Sequence, residues 1–282
     1  MQTANSRLST MDVELAKPAL TKLHYESHST SSYEDGFFSS EGIYMDYLCQ
    51  LTVDALKPAA GRLLLDVGGG TGNFTRRLVA KQPGYEAVVI DPFLENSDTT
   101  QTSRVKFVKA PAESFAKPEN VWWRKGYHQV LIKEAIHHVE SKDRIATYHG
   151  IRKDLEESGD GKTADYPRVL IITRPQQVDY PMWDAAREVW ASNQPSVDQL
   201  VSELEETGFK NVSSTMEIYP CAMPFERWAK MVKTRCWSTF SHFSDAELEK
   251  ACEEMYEEEQ DRMDKHGIVR FEDRLVFITA YL

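Results

Sequence analysis

At 282 residues, with 41% hydrophobic and 11% aromatic residues, the chain has the length and composition of a globular protein with one sizeable core, or of one domain carrying an insertion. Its formal net charge of −11 argues against a nucleic-acid surface, which needs clustered lysine and arginine. The four cysteines, Cys49, Cys221, Cys236 and Cys252, form no CxxC pair and no metal-ligand spacing, so they read as reduced thiols of a cytoplasmic protein, and no stretch is long enough to span a membrane.

Residues 1–20 are polar, carry Asp12 and Glu14, lack the apolar run of a secretory signal and read as a flexible terminus. Residues 21–57 are dense in aromatics, with Tyr25, Tyr33, Phe37, Phe38, Tyr44 and Tyr47, and Ile43, Tyr44, Tyr47, Leu48, Leu51, Val53 and Leu56 predict a helix over Gly42–Leu56. The apolar run Leu63-Leu64-Leu65-Asp66-Val67 then breaks into Gly68, Gly69, Gly70 and Gly72 and re-emerges as the helical pattern Phe74–Val79. That is strand, turn, helix. Glycine takes positive φ freely and lets a ligand lie against the backbone, while the N–H groups opening the helix attract an anionic group. The next strand, Glu86–Asp91, ends in an acid 25 residues after Asp66 and is followed by Pro92.

A dinucleotide fingerprint needs glycine at the first, third and sixth places, but counting from Gly68 or from Gly70 the sixth is Asn73 or Thr75, which disfavours a nicotinamide-dependent oxidoreductase. The pattern Asp66-x-Gly68-x-Gly70-x-Gly72 resembles motif I of the class I S-adenosylmethionine-dependent methyltransferases. The resemblance implies S-adenosylmethionine as cofactor and S-adenosylhomocysteine as product. It places the cofactor on Asp66, Gly68, Gly69, Gly70, Thr71 and Asn73, on Asp91 and Pro92 through the ribose, on Ala112 and Glu113 near adenine, and on Lys133. Family members commonly hold an acid where this chain has Pro111, so adenine recognition falls to the Ala112 backbone or the Glu113 side chain. The strand Val105–Val108 precedes this segment.

The fourth strand, Gln129–Ile132, runs into Lys133-Glu134-Ala135-Ile136-His137-His138, which in the family faces the methionine end of the cofactor and the acceptor. His137 and His138 are the candidate catalytic bases. As sequence neighbours they are expected to point apart, one to the pocket and one to the following helix, and with no third ligand nearby no metal site is expected. Further strands are read at Arg168–Pro175, Phe209–Tyr219 and Arg270–Leu282, with an amphipathic helix at Ser196–Thr207. A helical insertion, residues 223–267, resembles that of the type-11, small-molecule branch of the family, where it closes over the acceptor. The acidic run Glu247–Glu259 reads as its solvated face.

The expected fold is α/β, a doubly wound, Rossmann-like, mostly parallel sheet, and the resemblance implies seven strands with the last antiparallel. The domain covers 21–282, with an N-terminal cover at 21–57. The expected acceptor is a small molecule, with a carboxylate-bearing metabolite leading and a thioether methylated to a sulfonium as a specific alternative. Tyr25, Tyr33, Phe38, Arg174, Trp228 and Arg235 are its candidate contacts. No nucleic-acid or membrane partner is expected. The competing readings are a non-catalytic cofactor-binding partner subunit and the oxidoreductase already disfavoured.

Overall fold

The computed structural model describes residues 42–94, 102–117, 121–158 and 165–282. Tyr25, Tyr33, Phe38 and the rest of the expected cover before residue 42 lie outside the described residues. The helix α1 (Gly42–Leu56) forms where expected, because Tyr44, Leu48, Thr52 and Leu56 fall about one turn apart and are buried together. Thr52 donates its hydroxyl to the Leu48 carbonyl, so the stripe carries no bare polar group.

Seven strands build one sheet: β1 (Leu63–Val67), β2 (Glu86–Asp91), β3 (Val105–Lys109), β4 (Gln129–Lys133), β5 (Val169–Thr173), β6 (Lys210–Pro224) and β7 (Ile268–Tyr281). Their order is β3-β2-β1-β4-β5-β7-β6; β1 to β5 run parallel, and β7 lies antiparallel to both β5 and β6. The inner strands are near-continuous apolar runs because both faces are covered. Side chains alternate between two clusters: Leu64, Val89, Leu131, Leu170 and Ile172 pack on one face with α1, α2 (Asn73–Lys81) and the insertion. Leu65, Val88, Val130, Val169 and Ile171 pack on the other with α3 (Ser141–Glu157) and α5 (Val197–Glu206). This alternation makes three layers and leaves the carboxyl ends of β1 to β5 along one edge, where ligands of such sheets bind.

The end of β6, the start of the insertion and one helix depart most from expectation. β6 runs five residues past Tyr219, because Met223 and Pro224 still pair with Val269 and Ile268. Pro220 is tolerated on this edge strand, where a missing N–H costs little. The insertion therefore begins at Phe225, and its described elements are α6 (Phe225–Lys233), a 3-10 turn at Ser238–His242 and α7 (Asp245–Glu259). α7 starts with a capping box between Ser244 and Glu247, and beneath its acidic face it buries Leu248, Ala251, Cys252 and Met255. The helix α4 (Asp184–Asn193) has only Ala186 and Trp190 on its buried face, too short a pattern to read from sequence.

Candidate functional site

The turn after β1 carries three left-handed glycines, Gly68 (φ 74°), Gly70 (φ 54°) and Gly72 (φ 71°), and each faces different surroundings. A Cβ on Gly68 would strike the Ala135 methyl, and one on Gly72 would lie 2.7 Å from the Phe107 ring. At Gly70, among the described residues, nothing lies within 4 Å of where a Cβ would stand. Two of these glycines are thus needed for packing, while the third meets none of the described residues. Beneath the turn the Asp66 carboxylate is 2% exposed and accepts the Thr75 hydroxyl on Oδ2, and a Cβ on Gly69 would collide with it. Asp66 Oδ1 is buried with no hydrogen-bond partner among the described residues. Burial pushes this carboxyl up to about 6, against the Thr75 hydrogen bond and the charge of Lys133, which both lower it.

Asp91 ends β2 beside the turn: Oδ2 accepts the Gly70 N–H at 3.1 Å and Oδ1 the Phe93 N–H at 2.8 Å. Burial raises its pKa, and these two N–H bonds pull it back. Pro92 continues into the turn after β2, and Thr71 is buried with its carbonyl accepting Arg76 at 2.7 Å. Asn73 opens α2 and accepts from Arg76 at 3.4 Å. Ala112 and Glu113 begin a 3-10 turn whose N-cap is Pro111, and both are half-buried at the strand-end edge. The sequence-read cofactor residues therefore gather on the ends of β1, β2 and β4 and on the segment after β3.

At the end of β4, Lys133 places its ammonium 5.2 Å from the Phe74 ring centroid and 3.8 Å from Glu134 Oε1. Glu134 adopts φ 53°, a left-handed position unusual for a side-chain-bearing residue. Burial would raise its carboxyl, but the charges of Arg174 and Lys133 outweigh it and hold the pKa at about 2. The bend aims Ala135 at Gly68 and leads into the 3-10 turn Ile136–His138. There the structure corrects the expectation that the histidines diverge: the His137 and His138 rings lie 3.9 Å apart with a 51° tilt, on a 3-10 turn where successive side chains are a third of a turn apart and not on opposite faces as along a strand. Both are half-buried.

The three described acceptor candidates are placed less simply. Arg174 is 4% exposed and already matched, with Nη1 2.8 Å from Glu134 Oε2, Nε 2.8 Å from Asp273 Oδ1 and Nη2 3.2 Å from Asp273 Oδ2. Asp273, fully buried in β7, also accepts the hydroxyls of Tyr44 and Tyr180, whose pKa values burial pushes well up, so both stay donors. Arg174 therefore belongs to a buried network tying α1 to the ends of β4 and β5 and to the interior of β7. Trp228 is fully buried against Tyr180, Trp237 and Phe271 and donates its indole N–H to the Pro181 carbonyl at 2.7 Å, which makes it a core residue of the insertion. Arg235 sits at φ 54° with its guanidinium 2.7 Å from Asp245 and 2.9 Å from the Phe243 carbonyl. Both arginines that were expected to hold an acceptor carboxylate thus have partners inside the chain. Sequence reasoning missed Glu134, Asp273, Tyr44 and Tyr180 as site-framing groups; the one signal was that Asp273 shares the alternating inward face of Val269, Phe271 and Leu275 in the last strand.

A concavity lined by Arg62, His128 and Tyr166 lies at the amino ends of β1 and β4, the opposite edge from this site. Among the described residues no cluster of His, Cys, Asp and Glu has a metal-holding arrangement, and no helix is long and apolar enough to cross a membrane.

No protein-family model matches the chain. A stretch of 90 residues is 34% identical to an uncharacterised methyltransferase of Mycobacterium tuberculosis, covering 31% of this chain and 34% of the relative. The match thus spans about a third of the length of that curated relative. Among solved structures, a putative methyltransferase from an antibiotic biosynthesis pathway of Anabaena variabilis superposes with TM-score 0.55 at 16% identity, over 82% of this chain and 96% of that one. A Haemonchus contortus phosphoethanolamine N-methyltransferase in complex with S-adenosyl-L-methionine superposes with TM-score 0.50 at 14% identity, over 99% of this chain and 61% of that one. At these identities the likeness is one of fold.

Proposed function

We propose, from the premise that this chain has the class I S-adenosylmethionine-dependent methyltransferase fold, that it transfers a methyl group from S-adenosylmethionine to a small-molecule acceptor. The observation that carries the proposal is that, among the described residues, nothing covers left-handed Gly70 and nothing partners the buried Asp66 Oδ1. The first is room for a ligand against the backbone. The second is an acceptor in want of a donor, which an ammonium or hydroxyl of the cofactor supplies, since a buried polar atom left unpaired costs about 1–3 kcal/mol. Asp91, with a carboxylate at the turn, is placed to take ribose hydroxyls on lone pairs not used by Gly70 and Phe93.

Bound S-adenosylmethionine would supply an electrophilic methyl on a sulfonium. The chain's part is to hold donor and acceptor in line and to exclude water. The glycine turn and Asp91 fix the cofactor end, and the Glu134 bend sets the segment that carries His137 and His138 on the acceptor side. An imidazole there takes the proton that an oxygen or nitrogen acceptor releases. With Arg174 and Arg235 matched within the chain, the carboxylate-bearing acceptor loses its two sequence-read partners, and the acceptor class rests on what the histidines can serve. The test is a screen of small metabolites with methyl-deuterated S-adenosylmethionine, read by mass spectrometry. A product heavier by one labelled methyl supports the reading, and cofactor binding with no labelled product across the screen favours the partner-subunit alternative.

A further inference from the structure

Buried charges alternate in sign along four neighbouring strands of the sheet, β1, β4, β5 and β7. Asp66 lies near the end of β1, and the charge of Lys133 at the end of β4 acts on it. Lys133 is 3.8 Å from Glu134, Glu134 is 2.8 Å from Arg174 just past β5, and Arg174 is 2.8 Å from Asp273 in β7. Three carboxylates thus stand against two cations, so the row carries a negative excess when all are ionised. Largely removed from water, these charges are screened little by salt and act on one another and on a ligand more strongly than exposed charges do. The two cofactor forms differ chiefly in charge: the donor carries a sulfonium, and the product has lost it with the methyl.

Resting on the methyl-transfer reading, we infer that this charge row sets the preference of the site for the cationic donor over the uncharged-sulfur product, with Glu134 and Lys133 as specificity-determining residues of opposite effect. The negative excess attracts the sulfonium. Once the methyl has left, the attraction ends, and the row no longer retains the product. Replacing Glu134 by glutamine leaves two carboxylates against two cations, which cancels the negative excess and its attraction for the sulfonium. Replacing Lys133 by methionine removes a cation and deepens the attraction. Damage to the fold alone weakens both cofactor forms together and leaves their ratio where it was.

The experiment is calorimetric titration of the full chain with S-adenosylmethionine and, separately, with S-adenosylhomocysteine, for wild type, Glu134→Gln and Lys133→Met. The expected result is that the ratio of affinities, donor over product, falls about three- to tenfold in Glu134→Gln and rises by a similar factor in Lys133→Met. The Lys133 side chain is 20% exposed, so that variant removes no fully buried partner and carries the test even where Glu134→Gln does not fold. Ratios unchanged from wild type, or moved in the same direction by both variants, overturn the inference and leave methyl transfer standing. A wild-type protein that binds neither cofactor form overturns the functional reading and this inference with it.

Discussion

Replacing Gly70 by valine separates what the glycine turn does for the fold from what it does for a ligand. Gly70 has φ 54°, and among the described residues nothing lies within 4 Å of a Cβ placed there. The folded protein therefore loses only the cost of a left-handed side-chain-bearing residue, about 1–2 kcal/mol. For a chain of this size that is a drop of roughly 2–8 °C in Tm. The new side chain fills the space the cofactor is expected to occupy, so affinity for S-adenosylhomocysteine falls by more than about 100-fold, as for a direct steric block worth roughly 3 kcal/mol. Gly126 supplies the control: its φ of 75° and empty surroundings match those of Gly70, but it lies before β4, on the amino-end side of the sheet. Gly126→Val should cost similar stability and leave binding intact. Gly68→Ala, which collides with Ala135, should destabilise more than either. Melting curves and calorimetry read all three. Near-wild-type binding of S-adenosylhomocysteine by folded Gly70→Val would refute the placement of the cofactor on this turn.

Asp91→Ala should weaken S-adenosylmethionine binding by about 1–3 kcal/mol, the value of hydrogen bonds to a charged acceptor, and an unchanged dissociation constant in a folded variant removes Asp91 from the site. Asp66, pushed up to about 6 by burial, binds its proton more tightly folded than unfolded, so its contribution to stability declines as pH rises from about 4 to 6. A cationic cofactor favours the ionised form, so calorimetric affinity for S-adenosylmethionine should fall roughly fivefold from pH 6 to pH 5, a step that Asp66→Asn abolishes and that its persistence there would assign elsewhere. Asp273→Ala leaves Arg174 buried with one carboxylate fewer and two tyrosine hydroxyls without their acceptor, and should cost about 3–5 kcal/mol of stability in denaturant titration; a loss below about 1 kcal/mol contradicts the network. On an oxygen or nitrogen acceptor, either His137→Gln or His138→Gln should lower turnover by about 10²–10⁴-fold, and wild-type rates for both remove the pair from the chemistry.

The fold was largely legible because its signals are local. Leu63–Val67 running into glycines, Glu86–Asp91 ending in an acid, and apolar strands alternating with helical periodicity each depend on a few consecutive residues. The charge row was not legible, because Asp66, the Lys133-Glu134 pair, Arg174 and Asp273 come together only through the sheet order β1-β4-β5-β7. Arg174 consequently reads in sequence as an arginine awaiting an acceptor, although its carboxylate partners lie 40 and 99 positions away along the chain. Trp228 reads as an acceptor aromatic for a similar reason: an indole in a covering insertion looks the same whether it faces a ligand or, as here, the Pro181 carbonyl. The histidine pair diverges on the periodicity of a strand and comes together in a 3-10 turn that no residue between Glu134 and Val139 announces.

Calorimetric titration of the wild-type chain with S-adenosylhomocysteine, with NADH as the comparison ligand, tests the cofactor assignment most directly. One-to-one binding of S-adenosylhomocysteine with no heat from NADH is the expected result. Binding of NADH alone, or of neither, would contradict the assignment of this glycine turn to methyl transfer.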